Sequence, residues 1–329
     1  MGVVGYTLGG GLSPVLGRTY GWAADHVRAI DVVTADGALR HVTEQSDPAL
    51  FWGLRGGGSN LGIVTSLELD LFPVTTFYGG GIFHPAEHAE SVLHAYRQVV
   101  ENAPDELTIS VALLNFPPIP EVPEPLRGRF TVHVRVAYLG SDTEAEELIA
   151  PLRAVGAPLA DTVGRRGYDT FAEVHQDPTD PAPYEDCSAL LTDLTPEVIA
   201  AVLERVGPTS GSVVTVLEIR HLAGALSREA RLPSAAGARD AAFMVWGTTV
   251  GPPEVVDAGT AGMNTLLKDL TPWTTGLPHQ NFPSREAVAA DVFAPDALAR
   301  LQRIKQQYDP QNLFRAHNHN IAPAPGHTA

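Results

Sequence analysis

Apolar residues along this chain recur with two periods. Alternation, or a short apolar run rich in β-branched residues, predicts strands at 27–33 (VRAIDVV), 39–42, 63–72 (IVTSLELDLF), 107–114, 130–138 (FTVHVRVAY), 213–219 and 242–249. Asp36 and Gly37 supply a hairpin turn between the first two, and Pro73 closes the third. A period near 3.6 predicts helices at 85–102, 143–155, 196–207, 252–270 and 294–308. In the first of these, Val92, Leu93, Tyr96, Val99 and Val100 make one stripe; in the last, Leu298, Leu301 and Ile304 share a face. Residues 46–54 predict a shorter helix, capped by Ser46, with Pro48 in its first turn and Leu50 and Phe51 facing inward. Thr195 and Pro196 open the helix that Gly207 ends, and Pro310 ends the last one.

The punctuation between these elements sets the fold class. The segment PPIPEVPEP at 117–125 can be neither helix nor central strand. Residues 156–186 read as loop, and the tail after 315 docks at first and frays at its end. Strands and helices mix without strict alternation. The expected class is therefore α+β, a sheet covered on one side by helices.

Composition narrows the function. The 329 residues suffice for one large or two medium domains. A net charge of -16 with no basic cluster excludes binding to a nucleic-acid backbone. The one cysteine, Cys187, excludes an internal disulfide, and its place before the apolar run 188–191 marks it as core. No apolar stretch approaches the ~20 residues that span a bilayer. The opening MGVVGYTLGGG lacks the charged start of a signal peptide, so a cytoplasmic location is the default expectation. His317, His319 and His327 include an HxH, but no carboxylate or cysteine stands at ligand spacing, and no metal is expected. Asp25 and His26 read as turn residues. There is no GxSxG elbow and no GKS/T phosphate loop, which leaves hydrolase and nucleoside-triphosphatase readings without support.

Two glycine-rich segments point to a cofactor. GYTLGGGLSPVLGRTYG begins at Gly5 and contains the triple glycine Gly9, Gly10 and Gly11; LRGGGSNLGIVTS occupies 54–66, just ahead of a strand. Glycine lets backbone approach a ligand with no side chain between them. Two such segments suggest a long cofactor held mainly by main chain. Arg55 leaves two roles open, neutralising a phosphate or pairing with Asp47 on the surface.

Three blocks, at 5–37, 47–74 and 300–323, resemble the FAD-linked oxidases of the berberine-bridge-enzyme-like group within the vanillyl-alcohol-oxidase superfamily. The middle of the chain agrees only in general pattern, through AGAL at 223–226. The resemblance implies the second half of a PCMH-type FAD-binding domain at 1–74, an antiparallel-sheet substrate domain covered by helices at 75–282, and a return to the first domain at 283–329. It implies hydride transfer from a small organic metabolite to the flavin, with molecular oxygen taking the electrons. It places Gly5, Gly9, Gly10, Gly11, Gly58, Gly62, Ile63 and Val64 against FAD, and Asn281, Asn318 and Asn320 where the return packs on the flavin.

The chain also departs from the family. Members begin with a smaller subdomain whose pyrophosphate loop carries a histidine that often bonds to the flavin, and no residue here matches it. The cysteine of doubly tethered members is equally unmatched, so FAD is expected to be non-covalent. Asn281 matches the asparagine of the family's catalytic segment, but Phe282 stands where a tyrosine acts as base. Phenylalanine accepts no proton; His279, Tyr184 and Tyr168 are the substitute candidates. A start assigned too late accounts for the short beginning. The alternative is a non-catalytic remnant, or a split subunit completed by a separate N-terminal polypeptide.

Overall fold

Two antiparallel sheets, each with its own apolar core, organise the chain. The computed structural model describes residues 2–116, 120, 122, 124, 126–176, 181–237, 239–315 and 319–324. Helices α1 (Val3–Leu8), α2 (Gly17–Tyr20) and α3 (Pro48–Gly57) accompany strands β1 (Val27–Val33), β2 (Leu39–Val42) and β3 (Ile63–Leu69), which pair in the order β2-β1-β3. Ile30, Val32, Leu50, Phe51, Leu54 and Leu61 close this core together with Leu301, Ile304 and Ile321 from the far end of the chain.

The larger sheet has eight strands: β4 (Thr76–Pro85), β5 (Leu107–Asn115), β6 (Phe130–Tyr138), β7 (Ala160–Asp161), β8 (Gly164–Gly167), β9 (Tyr184–Leu191), β10 (Val216–His221) and β11 (Phe243–Val250). Its order is β7-β4-β6-β5-β10-β11-β9, with β8 also beside β4. One face is covered by α4 (Ala89–Glu101), α5 (Asp142–Arg153), α6 (Pro196–Val206) and α7 (Pro253–Asp269). Val92, Ile149, Val198 and Met263 from these helices meet Val111, Val134, Ile219 and Val245 from the strands. The short α8 (Ala289–Val292) and α9 (Pro295–Tyr308) then return the chain to the smaller sheet. No helix among the described residues is long and apolar enough to cross a membrane.

The α+β class with one helix-covered sheet is as expected, but several local expectations need correction. Residues 156–186 are not all loop, since they hold β7, β8, a 3-10 turn at Tyr168–Val174 and the start of β9. Strand β4 was likewise unmarked, because its glycines disguise it. A Cβ at Gly81 would lie 2.1 Å from His133 Nε2, so that glycine is what lets His133 lie flat across the sheet. Gly5 lies within α1, and the triple glycine follows its end at Leu8. Of the proline-rich segment, residues 117–119, 121, 123 and 125 lie outside the described residues.

Asp47, not Ser46, caps α3: its carboxylate accepts from Leu50 N at 3.0 Å. Ser46 instead accepts from Thr43 N at 2.9 Å and donates to His41 O at 3.0 Å. Arg55 serves neither role left open for it. It is buried, lies 4.2 Å from the Phe51 ring centroid and donates to Pro233 O at 2.7 Å and Leu232 O at 3.2 Å. Burial pulls its pKa down to about 10.

Beside Arg55 the helix kinks at Gly56, whose φ is +126°. A Cβ there would sit 2.1 Å from Ala236 N and 2.2 Å from Ala235 C, both backbone atoms. Gly56→Ala is expected to cost about 1–3 kcal/mol through backbone strain alone. Urea unfolding measures this, and a change smaller than the fitting error would refute the contact.

Candidate active site

The first glycine segment bonds the large sheet directly, Arg18 donating to Leu107 O at 2.7 Å and Val15 O accepting from Thr108 Oγ1 at 3.3 Å, and it meets the 279–282 turn through Asn281. Asn281 Oδ1 accepts from Gly11 N at 3.0 Å, and Asn281 Nδ2 donates to Tyr6 O at 3.2 Å and Gly5 O at 3.3 Å. Gly9 packs directly on this side chain, since a Cβ there would lie 2.2 Å from Asn281 Nδ2. Asn281 is itself held by the 279–282 turn. Its N–H donates to His279 Nδ1 at 3.0 Å, while Phe282 N donates to His279 O at 2.8 Å. Ser188 on β9 anchors that turn, accepting from His279 N at 3.1 Å and donating to Phe282 O at 2.8 Å.

The second glycine segment and the C-terminal return join the same assembly. Residues Gly58–Leu61 form a 3-10 turn packed on α1. Asn60 Oδ1 accepts from Ile321 N at 3.0 Å, which brings Asn320 beside this turn. Val64 leans on the small core, whereas Ile63 is exposed. Asn318 and the histidines His317 and His327 lie outside the described residues. No metal-binding cluster of His, Cys, Asp and Glu occurs among the described residues. Thus Gly5, Gly9, Gly10, Gly11, Gly58, Gly62, Asn281 and Asn320 belong to one continuous region.

The face of the large sheet turned away from α4–α7, packed under the first glycine segment and Val174, carries Arg135, Glu218 and Arg220. Register pairs Glu218 with Trp246, Arg220 with Ser110, and Ser110 with Arg135. Glu218 is fully buried, yet it accepts from Ser110 Oγ at 2.6 Å and pairs with Arg135 and Arg220, each at 2.8 Å, and with His175 at 3.3 Å. Burial by itself would raise its pKa; the two guanidinium groups and His175 hold it well below the usual carboxylate range. Burial lowers the pKa of His175, against the pull of Glu218. Their signal was visible: His133 and Arg135, then Glu218 and Arg220, interrupt strands whose intervening residues are all apolar.

Two aromatic rings 5.9 Å apart stand together beside this charged centre. The Arg220 guanidinium carbon lies 5.7 Å from the Trp246 ring centroid and 5.8 Å from that of Phe282. Trp246 Nε1 donates to Asp186 at 3.2 Å. His279 packs 5.1 Å from Trp22 and 5.4 Å from Phe282, and burial drives its pKa down to about 3. Of the base candidates, Tyr168 stacks on Phe171 and bonds Ser13 just past the triple glycine. Tyr184 is 62% exposed on the edge strand β9.

Comparison with known proteins gives this arrangement its family. The family described as "Berberine and berberine like" matches residues 289–322. The (R)-6-hydroxynicotine oxidase of Paenarthrobacter nicotinovorans is 30% identical over 98% of this chain and 71% of its own length. The chain belongs to the berberine-bridge-enzyme-like family of FAD-linked oxidoreductases. A xylooligosaccharide oxidase of Thermothelomyces thermophilus is 28% identical over 95% of this chain and 66% of that relative. Among solved structures, BBE-like 1 of Physcomitrella patens superposes with a TM-score of 0.82 at 18% identity, over 99% of this chain and 71% of that one. The 6-hydroxy-D-nicotine oxidase of Arthrobacter nicotinovorans gives 0.77 at 27% identity, with coverage of 98% and 72%. The shared fold is therefore that of the FAD-linked oxidases, of whose length this chain spans about seven-tenths.

The residues present fit such a cofactor. A Cβ built at Gly5 or Gly58 meets nothing within 4 Å, so open space borders both glycine segments. Asn320 Oδ1 and His279 Nε2 are buried without a hydrogen-bond partner. Open main chain with nearby unused polar atoms suits a long polar ligand.

Proposed function

We propose that this family member oxidises a small organic substrate between the first glycine segment and the sheet face turned away from α4–α7, using FAD held without a covalent bond. Bound FAD supplies hydride acceptance at N5 and delivery of electrons to molecular oxygen. The domain division 1–74, 75–282 and 283–329 and a cytoplasmic location belong to the same proposal. Gly5, Gly9, Gly10, Gly11, Gly58, Gly62, Ile63, Val64, Asn281 and Asn320 would line the cofactor, joined by Asn318. The observation that carries this reading is the Asn281 bridge, which holds the Gly11 N–H and ties the cofactor segment to the sheet.

The chain's own residues define the chemistry available around a substrate. Phe282 offers a ring and no proton acceptor. His279 is uncharged, and its Nδ1 is already taken by the Asn281 N–H. Of the three substitute bases, Tyr168 alone bonds a residue of the glycine segment.

Titration with FAD, followed by flavin fluorescence, tests the proposal. Saturable quenching is expected, and Asn281→Ala should weaken binding by about 1–3 kcal/mol, because the Gly11 N–H loses its acceptor. The proposal fails if the chain takes up no flavin either alone or when a pyrophosphate-binding segment from a relative is supplied. One observation favours the second reading, a subunit completed by another polypeptide. Among the described residues strand β3 is a sheet edge, with Ile63 55% exposed, and Leu71 beyond it is 92% exposed. Such an edge is a template for added backbone. In that reading the added segment supplies the phosphate donors, and flavin binding appears only in its presence.

A further inference from the structure

We propose that a cavity behind the 279–282 turn is a second ligand site, one that takes an apolar organic ammonium ion. It is independent of the flavin reading, and three observations carry it. First, the space is large enough. A cavity of about 450 Å³ lies between β9, α7 and the two limbs of chain, 274–278 and 284–291, that flank the turn. Small-molecule sites typically enclose about 300–1,000 Å³. This space is not the candidate active site. Cys187 and Leu267, which line it, pack in the helix-covered core, whereas Trp246 and Phe282 pack with Leu12 and Trp22 on the other face of the sheet.

Second, the lining is divided between apolar and polar groups. Leu267, Leu277, Pro278 and Ala287 give the cavity an apolar wall. Such a wall favours a hydrocarbon body in proportion to the area it takes out of water. Asn264 and Ser284 add an amide and a hydroxyl. Cys187 adds no charge, because burial pushes its thiol up to about 12. A bare metal ion would leave the apolar wall unused, so the lining suits an organic molecule with one polar end.

Third, the charge around the cavity has one sign. Glu286 and Asp291 line it, and among the described residues no Lys, Arg or His does. Arg285, the neighbour of Glu286, is turned to Glu185 instead. Asp291 accepts from Val288 N at 3.0 Å through Oδ2, and neither carboxylate is ion-paired among the described residues. Two carboxylates at one cavity repel an anion and attract a cation. An apolar ammonium ion satisfies all three features at once: its body meets the apolar wall and its head meets the carboxylates.

Isothermal titration of the protein with tryptamine and with indole-3-ethanol, its uncharged counterpart, tests the site without flavin. Tryptamine is expected to bind saturably and about five-fold more tightly than the alcohol. The preference should shrink as salt is raised, because Glu286 and Asp291 are exposed. Glu286→Gln and Asp291→Asn should each lower it, and Glu254→Gln, at the exposed start of α7, should leave it unchanged. Asn264→Trp, which fills the space from an exposed position on α7, should abolish binding of both probes. Equal affinity for the two probes, or binding of neither, overturns the proposal. So does a preference that survives both carboxylate substitutions, or tryptamine binding that Asn264→Trp leaves undiminished, since either puts the amine elsewhere. Flavin uptake is read separately from absorbance, so a failed cofactor reading and a failed second site give different results.

Discussion

Lys305→Ala is expected to destabilise the folded chain by about 3–5 kcal/mol, the cost of leaving a buried ion without its partner. Lys305 sits on α9 with its side chain fully buried. Its Nζ donates to Asn60 O and Phe314 O, each at 2.7 Å, and lies 2.6 Å from Asp309 Oδ2. Asp309 is equally buried and also accepts from Leu313 N at 2.7 Å and Phe314 N at 2.8 Å. One ammonium therefore ties together the second glycine segment, the last helix and the return of the chain. Alanine would leave a carboxylate without its counter-charge and two carbonyls without their donor. The midpoint of urea unfolding should fall while its slope stays constant. The double variant Lys305→Met with Asp309→Asn should lose less than the sum of its parts, because the uncompensated charge is gone. A loss below about 1 kcal/mol for Lys305→Ala would mean that the pair is solvated and carries no structural weight. Flavin affinity should fall with stability in this variant, since Asn60 also holds Ile321 and with it Asn320.

That lysine shows where sequence reading stops. The stripe Leu298, Leu301 and Ile304 predicted α9, but nothing in its period marks Lys305 as buried rather than as a solvated helix cation. Local signals did better: Pro48, Thr195 and Pro196 stand at helix starts, and the alternation in FTVHVRVAY is a strand buried on both faces. Long-range contacts were beyond reach. Gly56 requires the backbone of residues 235–236, and Arg55 requires the carbonyls of 232 and 233, nearly two hundred residues later. Strand β4 failed for the opposite reason. Its glycines lower β propensity locally, and they are tolerated because His133 and the 162 backbone fill the space above them. At the site, the glycine segments were legible because their spacing is unusual. The charges of Arg135, Glu218 and Arg220 stand out within apolar strands, but their meeting does not, because it exists only once β5, β6 and β10 are side by side in register.

Acid should unfold this protein well before its paired carboxylates titrate, because its interior imidazoles are held uncharged. Burial lowers His221 and His279 to about 3 each, with Arg18 adding to the shift of the first and Arg220 to that of the second. His84 and His133 are lowered by burial in the same sense. An unfolded histidine titrates near ~6.5. Between that pH and about 3 the unfolded chain binds protons that the folded chain refuses, so stability rises with pH across this window and is lost as pH falls through it. At pH 5 each of the two strongly shifted groups costs about 2 kcal/mol, or about 4 kcal/mol together, a large share of a typical domain's stability. Glu218 and Asp309 act in the same direction but lower down: their pKa values are depressed, so their stabilisation persists until pH falls through those depressed values. Urea unfolding at pH 7.5 and pH 5 reads the effect directly. His279→Asn should flatten the pH slope by roughly half of the paired contribution, while lowering stability at pH 7.5 only through the lost ring packing. A stability that is level between the two pH values would require these imidazoles to be wet in solution, and the packing of Trp22, His279 and Phe282 to be open rather than closed.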